Sequence, residues 1–374
     1  MARDLVRDSR RIVVKIGTRV LTEEEDNRLS YATIATLVEQ ISMTLPGREF
    51  IIVSSGAIAL GLSRMGTDMR PRQIDMLQAA AAMGQSRLMH AYEDEFAKSS
   101  HETAQILLTY EDIQNRKRYL NIRNTIFALW SKNVVPVVNE NDTVSFSEIR
   151  FGDNDILAAH LANMIDADLL LILTDIDGLY EEDPRGNAGA RIVDEVPRIT
   201  SHIRNMVFSK ESALSSGGME SKLRAAEIAT RGGIGTVIAN GKSIDLPLLL
   251  SGDPVGTYFI PAARKLRGRK KWIAFNPKTE GTIIIDRGGE AAIVSDKKSL
   301  LPAGVREVVG DFRIGSNVSI QNEERREIAR GLSNFSSDEI NLIKGLNTRQ
   351  IPEVLGTKSY FDEIVHRDNM VILV

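Results

Sequence analysis

Apolar segments of strand length alternate with longer helical patterns over the first 260 residues, and this alternation constrains the fold most. The expected strands are residues 11–16, 49–53, 105–108, 134–138, 169–173 and 236–239. Between the first two, apolar residues recur at helical spacing over residues 34–45, so these segments form a βαβ unit. Repetition of that unit gives a mainly parallel sheet with helices on both faces. We therefore predict an α/β fold, a three-layer αβα sandwich.

The pattern changes after residue 263. Six of the eight residues at 264–271 are basic, and short strand-like runs follow at residues 281–286, 305–309, 317–321 and 327–333. Such spacing is typical of a small β-barrel, and Ser336 with Glu339 forms a capping box for a helix after it. We predict an α/β domain over 1–263, a basic linker over 264–278 and a small β-barrel domain over 279–374.

Composition excludes several classes of chemistry. The chain of 374 residues contains no cysteine, which excludes disulfides, thiolate metal sites and thiol nucleophiles. No apolar run approaches the roughly 20 residues of a membrane span, and the charged first ten residues do not form a signal peptide. We therefore expect a cytoplasmic protein. The net charge of −3 gives no general attraction to nucleic acid.

Polar residues follow the first two predicted strands. Ligands in open α/β sheets bind at the carboxyl ends of the strands. Lys15 and Gly17 end the first strand, where a lysine charge and glycine backbone donors can hold a phosphate. A solvated strand end explains them equally well. Ser55 follows the second strand and either binds an anion or simply caps the next helix.

Two further polar segments occur at the same edge. Residues 139–142, Asn-Glu-Asn-Asp, follow a predicted strand and exceed what a turn needs, which favours a binding function. Residues 153–155, Asp-Asn-Asp, open a helix, and Thr174 with Asp175 stands where the strand 169–173 ends. These segments place amide and carboxylate groups together at the carboxyl edge of the predicted sheet, at the entrance of a candidate active site.

A glycine pair precedes a helical pattern at residues 216–222. The glycines allow close approach of a phosphate, and Lys222 lies about one turn into the helix. Neither the P-loop spacing nor GxGxxG occurs in the chain. Two lysines, glycine turns and carboxylates without a nucleophile match phosphoryl transfer, where positioning and charge neutralisation do most of the catalysis.

The order and spacing of these motifs resemble the amino acid kinase family, and within it the kinases that phosphorylate glutamate. The motifs are KIGTRVLT, SSGAIALG, VPVVNENDTVS, FGDND, LLILTDIDGLYEEDPR and SGGMESKLRAAEIA. The tail, with SLLPAG, VVGDF and IARGLSNFSS, resembles the PUA domain. The resemblance implies ATP-dependent phosphorylation of the side-chain carboxylate of L-glutamate, the first step of proline biosynthesis, with Mg²⁺. That carboxylate has an ordinary pKa of about 4.3, so the reaction requires no general base.

The resemblance also implies roles for individual residues. Lys15 and Lys222 would hold the phosphates and stabilise the transferring group, and Asp155 would orient both lysines. The implied glutamate site contains Ser55, Asn139, Asp142, Asp153 and Asn154. The implied ATP site contains Lys15, Gly17, Thr174, Asp175, Ser216, Gly217, Gly218, Met219, Glu220, Ser221 and Lys222. Magnesium would sit mainly on phosphate oxygens and waters, with no protein ligand assigned.

Partners and alternatives follow from the same resemblance. It implies feedback inhibition by proline, a homodimer or homotetramer, and hand-over of the acyl phosphate to glutamate-5-semialdehyde dehydrogenase. An alternative is a related kinase acting on acetylglutamate, aspartate, carbamate or UMP. Another is RNA binding through the PUA-like domain, but residues 272–374 hold 13 Lys/Arg against 15 Asp/Glu, which disfavours phosphate tracking.

Overall fold

The computed structural model describes residues 3–23, 28–67, 71, 73–144, 154–184, 187, 189–206, 218–262, 268–276, 278–356 and 361–374. The chain divides into two compact units, Met1–Lys265 and Leu266–Val374. Within the ranges described, no helix combines the length and apolar character needed to cross a membrane.

The first unit alternates strands with helices. Its strands are β1 Arg11–Ile16, β2 Glu49–Ser54, β3 Glu102–Leu108, β4 Val134–Glu140, β5 Leu169–Thr174, β6 Glu195–Val196, β7 Gly235–Asn240 and β8 Thr257–Phe259. Its helices are α1 Asp4–Arg7, α2 Thr18–Leu21, α3 Tyr31–Thr44, α4 Ala57–Arg64, α5 Ile74–Lys98, α6 Tyr110–Gln114, α7 Arg116–Trp130, α8 Asn154–Met164, α9 Ser201–Asn205, α10 Met219–Arg231 and α11 Leu246–Ser251.

These strands form one sheet in the order β3-β4-β2-β1-β5-β7-β8-β6 among the described residues. All neighbours are parallel except β7 and β8, which confirms the predicted mainly parallel sheet. The register aligns Lys15 with Val53 of β2 and with Ile172 of β5. The carboxyl ends of the three central strands therefore lie side by side.

Side chains of β1 alternate between the two faces of the sheet. Ile12, Val14 and Ile16 join a buried apolar core with residues of α3, α5 and α11. Lys15 points to the opposite face, where it contacts Asp155 of α8. Every residue of α8 is buried, and α8 packs on β1 and β5 and against α10. Helices thus cover both faces, as strands that are apolar on both sides require.

Helices α4 and α5 approach each other closely at two glycines. A Cβ added to Gly84 would lie 1.8 Å from the carbonyl oxygen of Ala57, and one added to Gly61 would lie 1.8 Å from that of Ala80. Only residues without a side chain permit this backbone distance. The contact fixes α5 against the first turn of α4, directly after Ser55.

The second unit contains a separate sheet with its own apolar core. Its elements are α12 Gly268–Phe275, β9 Gly281–Ile285, α13 Arg287–Val294, β10 Val305–Val309, β11 Asn317–Gln321, β12 Glu327–Leu332, α14 Ser337–Ile343, α15 Ile351–Leu355 and β13 Met370–Ile372. The strand order is β10-β9-β11-β12-β13, with β9 parallel to β11 and the other pairs antiparallel. The expected strands are confirmed, and β10 and β13 are the edges of the sheet. The capping box of Ser336 and Glu339 is confirmed at the start of α14.

Two segments of this unit differ from the expectation. Part of the predicted linker 264–278 forms α12, whose Trp272 and Ile273 are buried against β12 and β13, so these residues belong to the second unit. No helix was predicted between the runs 281–286 and 305–309, but α13 forms there and contains Gly288 and Gly289. The carboxylate of Asp286 caps this helix by accepting from the N–H of Gly289, and that capping offsets the poor helix propensity of glycine.

Candidate active site

Two lysines contact one buried carboxylate at the centre of the sheet. The Nζ of Lys15 lies 2.6 Å from Oδ1 of Asp155, and the Nζ of Lys222 lies 3.1 Å from Oδ2. Asp155 is fully buried and both lysines are nearly so. The hydroxyl of Ser221 donates to Oδ2 of the same carboxylate at 3.0 Å. The structure therefore brings together the three residues for which the family resemblance implies a catalytic role.

Each member of this cluster comes from a different element. Lys15 is on β1, Asp155 is in the first turn of α8 and Lys222 is in the first turn of α10. A carboxylate in the first turn of a helix is favoured by the partial positive charge of the helix N-terminus. The packing of α8 against α10 and on β1 brings the three side chains together.

The two ammonium groups keep Asp155 ionised. Burial acts to raise the pKa of Asp155, but the charges and hydrogen bonds of Lys15 and Lys222 outweigh it and hold that pKa well below its ordinary value. One carboxylate thus contacts two cationic side chains. Two ammonium groups held close together attract anions. The cluster is therefore suited to an anionic ligand.

A network of amides lies next to this cluster. The Nδ2 of Asn154 donates to the carbonyl oxygen of Ser54 at 2.9 Å, to Oγ of Ser55 at 3.1 Å and to Oδ1 of Asn139 at 2.9 Å. Asn139 in turn donates to Oε1 of Gln85 on α5 at 2.8 Å. Three residues predicted for one substrate therefore meet at the ends of β2 and β4 and the start of α8.

The amide network adjoins a cavity. The cavity has a volume of about 250 Å³ and is lined in part by Ala57, Gln85, Glu140 and Asp142. Gln85 belongs to both features, so the network and the cavity share a wall. Within the described residues, Oδ1 of Asn154 and Nε2 of Gln85 are buried without a hydrogen-bond partner. An acceptor and a donor are thus available to a polar ligand, since buried polar atoms normally have partners.

A second group of polar residues lies at the ends of β5 and β7. Thr174 donates through Oγ1 to Oδ1 of Asp175 at 3.0 Å, and Arg19 of α2 lies 2.8 Å from Oδ2. Burial acts to raise the pKa of Asp175, but the hydrogen bonds from Arg19 and Thr174 lower it below its ordinary value. Nearby, Asp177 accepts from Asn240 at 2.9 Å. This edge therefore carries an ionised carboxylate that is already paired with a cation.

The backbone donor expected at Gly17 is taken up by the sheet. The N–H of Gly17 donates to the carbonyl oxygen of Leu173 at 3.0 Å, because the chain continues the pairing of β1 with β5 for one more residue. A Cβ at Gly17 would lie 3.2 Å from that oxygen and 3.8 Å from Nζ of Lys15. The glycine thus keeps the space beside the lysine open, but its N–H is not a phosphate donor in this structure.

The remaining predicted residues fall at the start of α10 or outside the described ranges. Gly218 is the N-cap of α10, and its carbonyl oxygen accepts from Oγ of Ser221 at 3.0 Å. Met219 is half-buried and Glu220 is exposed in the first turn. Asp153, Ser216 and Gly217 lie outside the described residues.

Two residues of the site were not predicted from the sequence. Gln85 lies in the middle of α5 and reaches the amide network only because of the close α4–α5 contact. Arg19 directly follows the predicted KIGT segment, and its pairing with Asp175 depends on the adjacency of β1 and β5. The position of Arg19 beside the first glycine turn was the available signal for it.

Metal-binding side chains form no cluster in the described part of the chain. No group of three or more His, Cys, Asp or Glu side chains is placed to hold an ion there. Asp155 and Asp175 are each paired with a basic side chain.

Comparison with known proteins defines the class of this chain. Residues 10–240 match the amino acid kinase family, and residues 281–355 match the PUA domain. The first match covers the lysine–carboxylate cluster and every strand of the first sheet except β8. The second falls within the second unit. The first unit is therefore an amino acid kinase domain and the second unit contains a PUA domain.

Relatives with the same name match over nearly the whole chain. A glutamate 5-kinase of Carboxydothermus hydrogenoformans is 45% identical over 372 residues, which cover 99% of this chain and 100% of the relative. Those of Geobacter sulfurreducens and Myxococcus xanthus are 47% and 45% identical over 369 and 372 residues, covering 97% and 99% of this chain and 98% of each relative. The chain belongs to the glutamate 5-kinase family.

Proposed function

We propose that this chain transfers the γ-phosphoryl group of ATP to the side-chain carboxylate of L-glutamate, the first step of proline biosynthesis. The observation that carries the proposal is the pairing of Lys15 and Lys222 with the single buried carboxylate of Asp155. This cluster lies between an amide-lined cavity and the polar ends of β5 and β7. Two anionic substrates could therefore approach it from two sides.

The chemistry requires charge neutralisation rather than proton removal. An oxygen of the glutamate side chain forms a bond to the γ-phosphorus, and the bond from that phosphorus to the β–γ bridging oxygen breaks. The products are γ-glutamyl phosphate and ADP. Because the attacking carboxylate is already ionised at neutral pH, the enzyme has to reduce repulsion between two anions.

The two lysines supply that neutralisation in this proposal. Lys15 and Lys222 contact the phosphate oxygens and stabilise the negative charge of the transferring group. Asp155 contacts no substrate and acts as a positioning residue, since it fixes both ammonium groups through its two oxygens. Preorganised charges of this kind do not need to reorient during the reaction.

The glutamate site is assigned to the amide network and the adjoining cavity. Asn154, Asn139 and Ser55 are joined by hydrogen bonds, and Asp142 lines the cavity. A carboxylate there suits the α-ammonium of free glutamate, whereas an N-acetylated substrate has no such cation. Asp153 precedes Asn154 in sequence and is proposed for the same site.

The ATP site is assigned to the ends of β1 and β5 and the start of α10. Its proposed members are Lys15, Gly17, Thr174, Asp175, Ser216, Gly217, Gly218, Met219, Glu220, Ser221 and Lys222. Magnesium bound to the β- and γ-phosphates would neutralise part of their charge. That mode of binding suits an ion that keeps several waters and needs few protein ligands.

The proposal extends to the setting of the enzyme. We infer a cytoplasmic homodimer or homotetramer, inhibited by proline at the glutamate site, that passes γ-glutamyl phosphate to glutamate-5-semialdehyde dehydrogenase. Acyl phosphates hydrolyse readily, so hand-over to a reductase limits loss of the product.

An acyl-phosphate trapping assay tests the reaction. The full chain is incubated with MgATP, hydroxylamine and one acceptor at a time: L-glutamate, N-acetylglutamate, aspartate, carbamate or UMP. ADP release and hydroxamate formation are measured together. We expect both with L-glutamate and much less of either with the other acceptors.

The same assay distinguishes the alternatives. Faster ADP release with UMP or N-acetylglutamate than with L-glutamate would assign a different acceptor to this site. ADP release without any acceptor serves as the background for each reaction. The Lys222→Ala variant is the matched negative control, because it keeps the cavity and removes one of the two cations.

A further inference from the structure

Arg19 stands at the edge of the proposed ATP site. Its Nη1 lies 2.8 Å from Oδ2 of Asp175, and its side chain is 44% exposed. The other two nitrogens of the guanidinium, Nε and Nη2, make no hydrogen bond within the described ranges, and they carry three of its five N–H donors. Arg19 therefore binds the carboxylate of Asp175 through Nη1, and its other donors face solvent.

The backbone at Arg19 is firmly held. It belongs to α2, whose Val20 and Leu21 are fully buried. Val20 packs where Gly241 leaves room for it, since a Cβ on Gly241 would lie 2.7 Å from Cγ1 of Val20 and 3.0 Å from Cβ of Leu173. The guanidinium is thus carried by a fixed turn at the carboxyl ends of β1 and β5.

The position of Arg19 suits a cation that can pair with two anions, the carboxylate of Asp175 and a phosphate of the ligand. Asp175 is ionised, and a carboxylate at the entrance of a triphosphate site would repel the incoming phosphates. Arg19 cancels that charge while keeping donors free. A planar guanidinium can bond a carboxylate and a phosphate at the same time, which an ammonium does less well.

We propose that Arg19 is a further nucleotide-binding residue. Its Nε and Nη2 donate to phosphate oxygens of ATP while Nη1 stays paired with Asp175. This inference rests on the proposed function, because it takes ATP as the ligand. It assigns Asp175 mainly to positioning Arg19 rather than to direct contact with the phosphates.

Binding of a non-hydrolysable ATP analogue, AMP-PNP, tests the proposal by calorimetry without turnover. The full chain is titrated with the magnesium complex of AMP-PNP and separately with adenosine. We expect Arg19→Ala to weaken AMP-PNP binding roughly 10- to 100-fold, the range for one charged hydrogen bond. Adenosine binding should be unchanged, because adenosine carries no phosphate. Arg19→Lys should restore part of the affinity for AMP-PNP.

A matched control removes a similar ion pair at the other end of β1. Arg7 is 53% exposed and its Nε lies 3.0 Å from Oδ1 of Asp8. Arg7→Ala should leave AMP-PNP affinity unchanged. A double-mutant cycle of Arg19→Ala with Asp175→Asn should show strong coupling in AMP-PNP affinity, since the loss of Arg19 removes the partner that Asp175 positions.

The outcomes separate this inference from the proposed function. Wild-type affinity for AMP-PNP in Arg19→Ala would overturn the inference and leave the kinase proposal intact. Equal weakening of AMP-PNP and adenosine would overturn it too, because that result indicates a general distortion of the site. Failure of the wild-type chain to bind AMP-PNP at all would instead overturn the proposed function.

Discussion

Lys15 and Lys222 contact the two oxygens of one fully buried carboxylate, although they come from distant parts of the sequence. The distances are 2.6 Å to Oδ1 and 3.1 Å to Oδ2 of Asp155. Neither lysine can move without breaking a buried ion pair. The arrangement fixes two positive charges in space before any substrate binds, and the proposed reaction needs that property most.

Replacing Lys222 should remove much of the turnover. We expect Lys222→Ala to lower kcat by about 10²- to 10³-fold, the range for loss of one preorganised donor. The KM for L-glutamate should change little, since the amide network is left intact. Trapping with hydroxylamine at saturating substrates measures the effect. Lys98→Ala is the control, because Lys98 is an exposed lysine of α5 that pairs with Glu95. A near-normal kcat in Lys222→Ala would remove Lys222 from the mechanism.

Replacing Asp155 should weaken folding as well as activity. Asp155→Asn leaves two buried ammonium groups without their carboxylate, and breaking a buried pair in this way costs about 3–5 kcal/mol. Urea unfolding, monitored on the transition of the first unit, measures this loss. An unfolding free energy equal to that of the wild type would contradict this prediction. It would show that the two lysines find other partners or become deprotonated.

The ion pairs of Asp155 also predict how the difference in unfolding free energy between the wild type and Asp155→Asn depends on pH. The folded-state pKa of Asp155 is lowered, whereas its unfolded value is about 3.9. Ionisation of Asp155 therefore adds stability that is complete above about pH 4 and is lost as the pH falls toward the folded-state pKa. Asp155→Asn binds no such proton, so the gap to wild type should be constant near neutral pH and narrow below about pH 4. A gap that widens on acidification would contradict the assigned direction.

Asn154 should control affinity for glutamate. Its Nδ2 serves three acceptors and its Oδ1 has no partner among the described residues. We expect Asn154→Ala to raise the KM for L-glutamate roughly 10- to 100-fold, as for loss of a hydrogen bond to a charged group. The KM for ATP, measured in the same assay, is the internal control. Equal increases in both KM values would instead indicate a general disturbance of α8.

A second substitution at this position separates shape from hydrogen bonding. Asn154→Asp keeps the size of the side chain but directs a carboxylate at three acceptor oxygens. The buried charge would lack the donors that it needs, so this variant should be less stable than Asn154→Ala. Thermal unfolding of the two variants side by side checks the order.

Most of the fold could be predicted because its signals are local. β1, β10 and β11 coincide with the predicted segments, since each is an apolar or alternating run that ends at a polar or glycine residue. β6, β8 and β13 were not predicted, because two or three residues are too few for a periodic pattern. Helix α12 was missed since its basic residues conceal Trp272 and Ile273, which are buried.

Individual residues of the candidate site could be proposed from the sequence, but the contacts between them could not. Strand ends indicated Lys15, Asn139 and Thr174, because parallel strands deliver their carboxyl ends to one edge. The pairing of both lysines with Asp155 depends on how α8 packs against α10, which no local pattern encodes. Gln85 and Arg19 depend in the same way on contacts between elements that are distant in sequence.

The close contact of α4 and α5 gives a prediction that links packing to the site. In Gly84→Ala the new Cβ would lie 1.8 Å from the carbonyl oxygen of Ala57, so the helices must separate. Overpacking of this kind costs about 1–3 kcal/mol or more. Gln85 follows Gly84 and accepts a hydrogen bond from Asn139, so the separation should also pull the amide network apart and raise the KM for L-glutamate.

Ala79→Ser, on the exposed face of α5, is the control and should leave both the stability and the KM for L-glutamate unchanged. Thermal unfolding together with the KM for each substrate measures the effect; a Gly84→Ala variant with reduced stability and an unchanged KM for L-glutamate would show that Gln85 does not position this site.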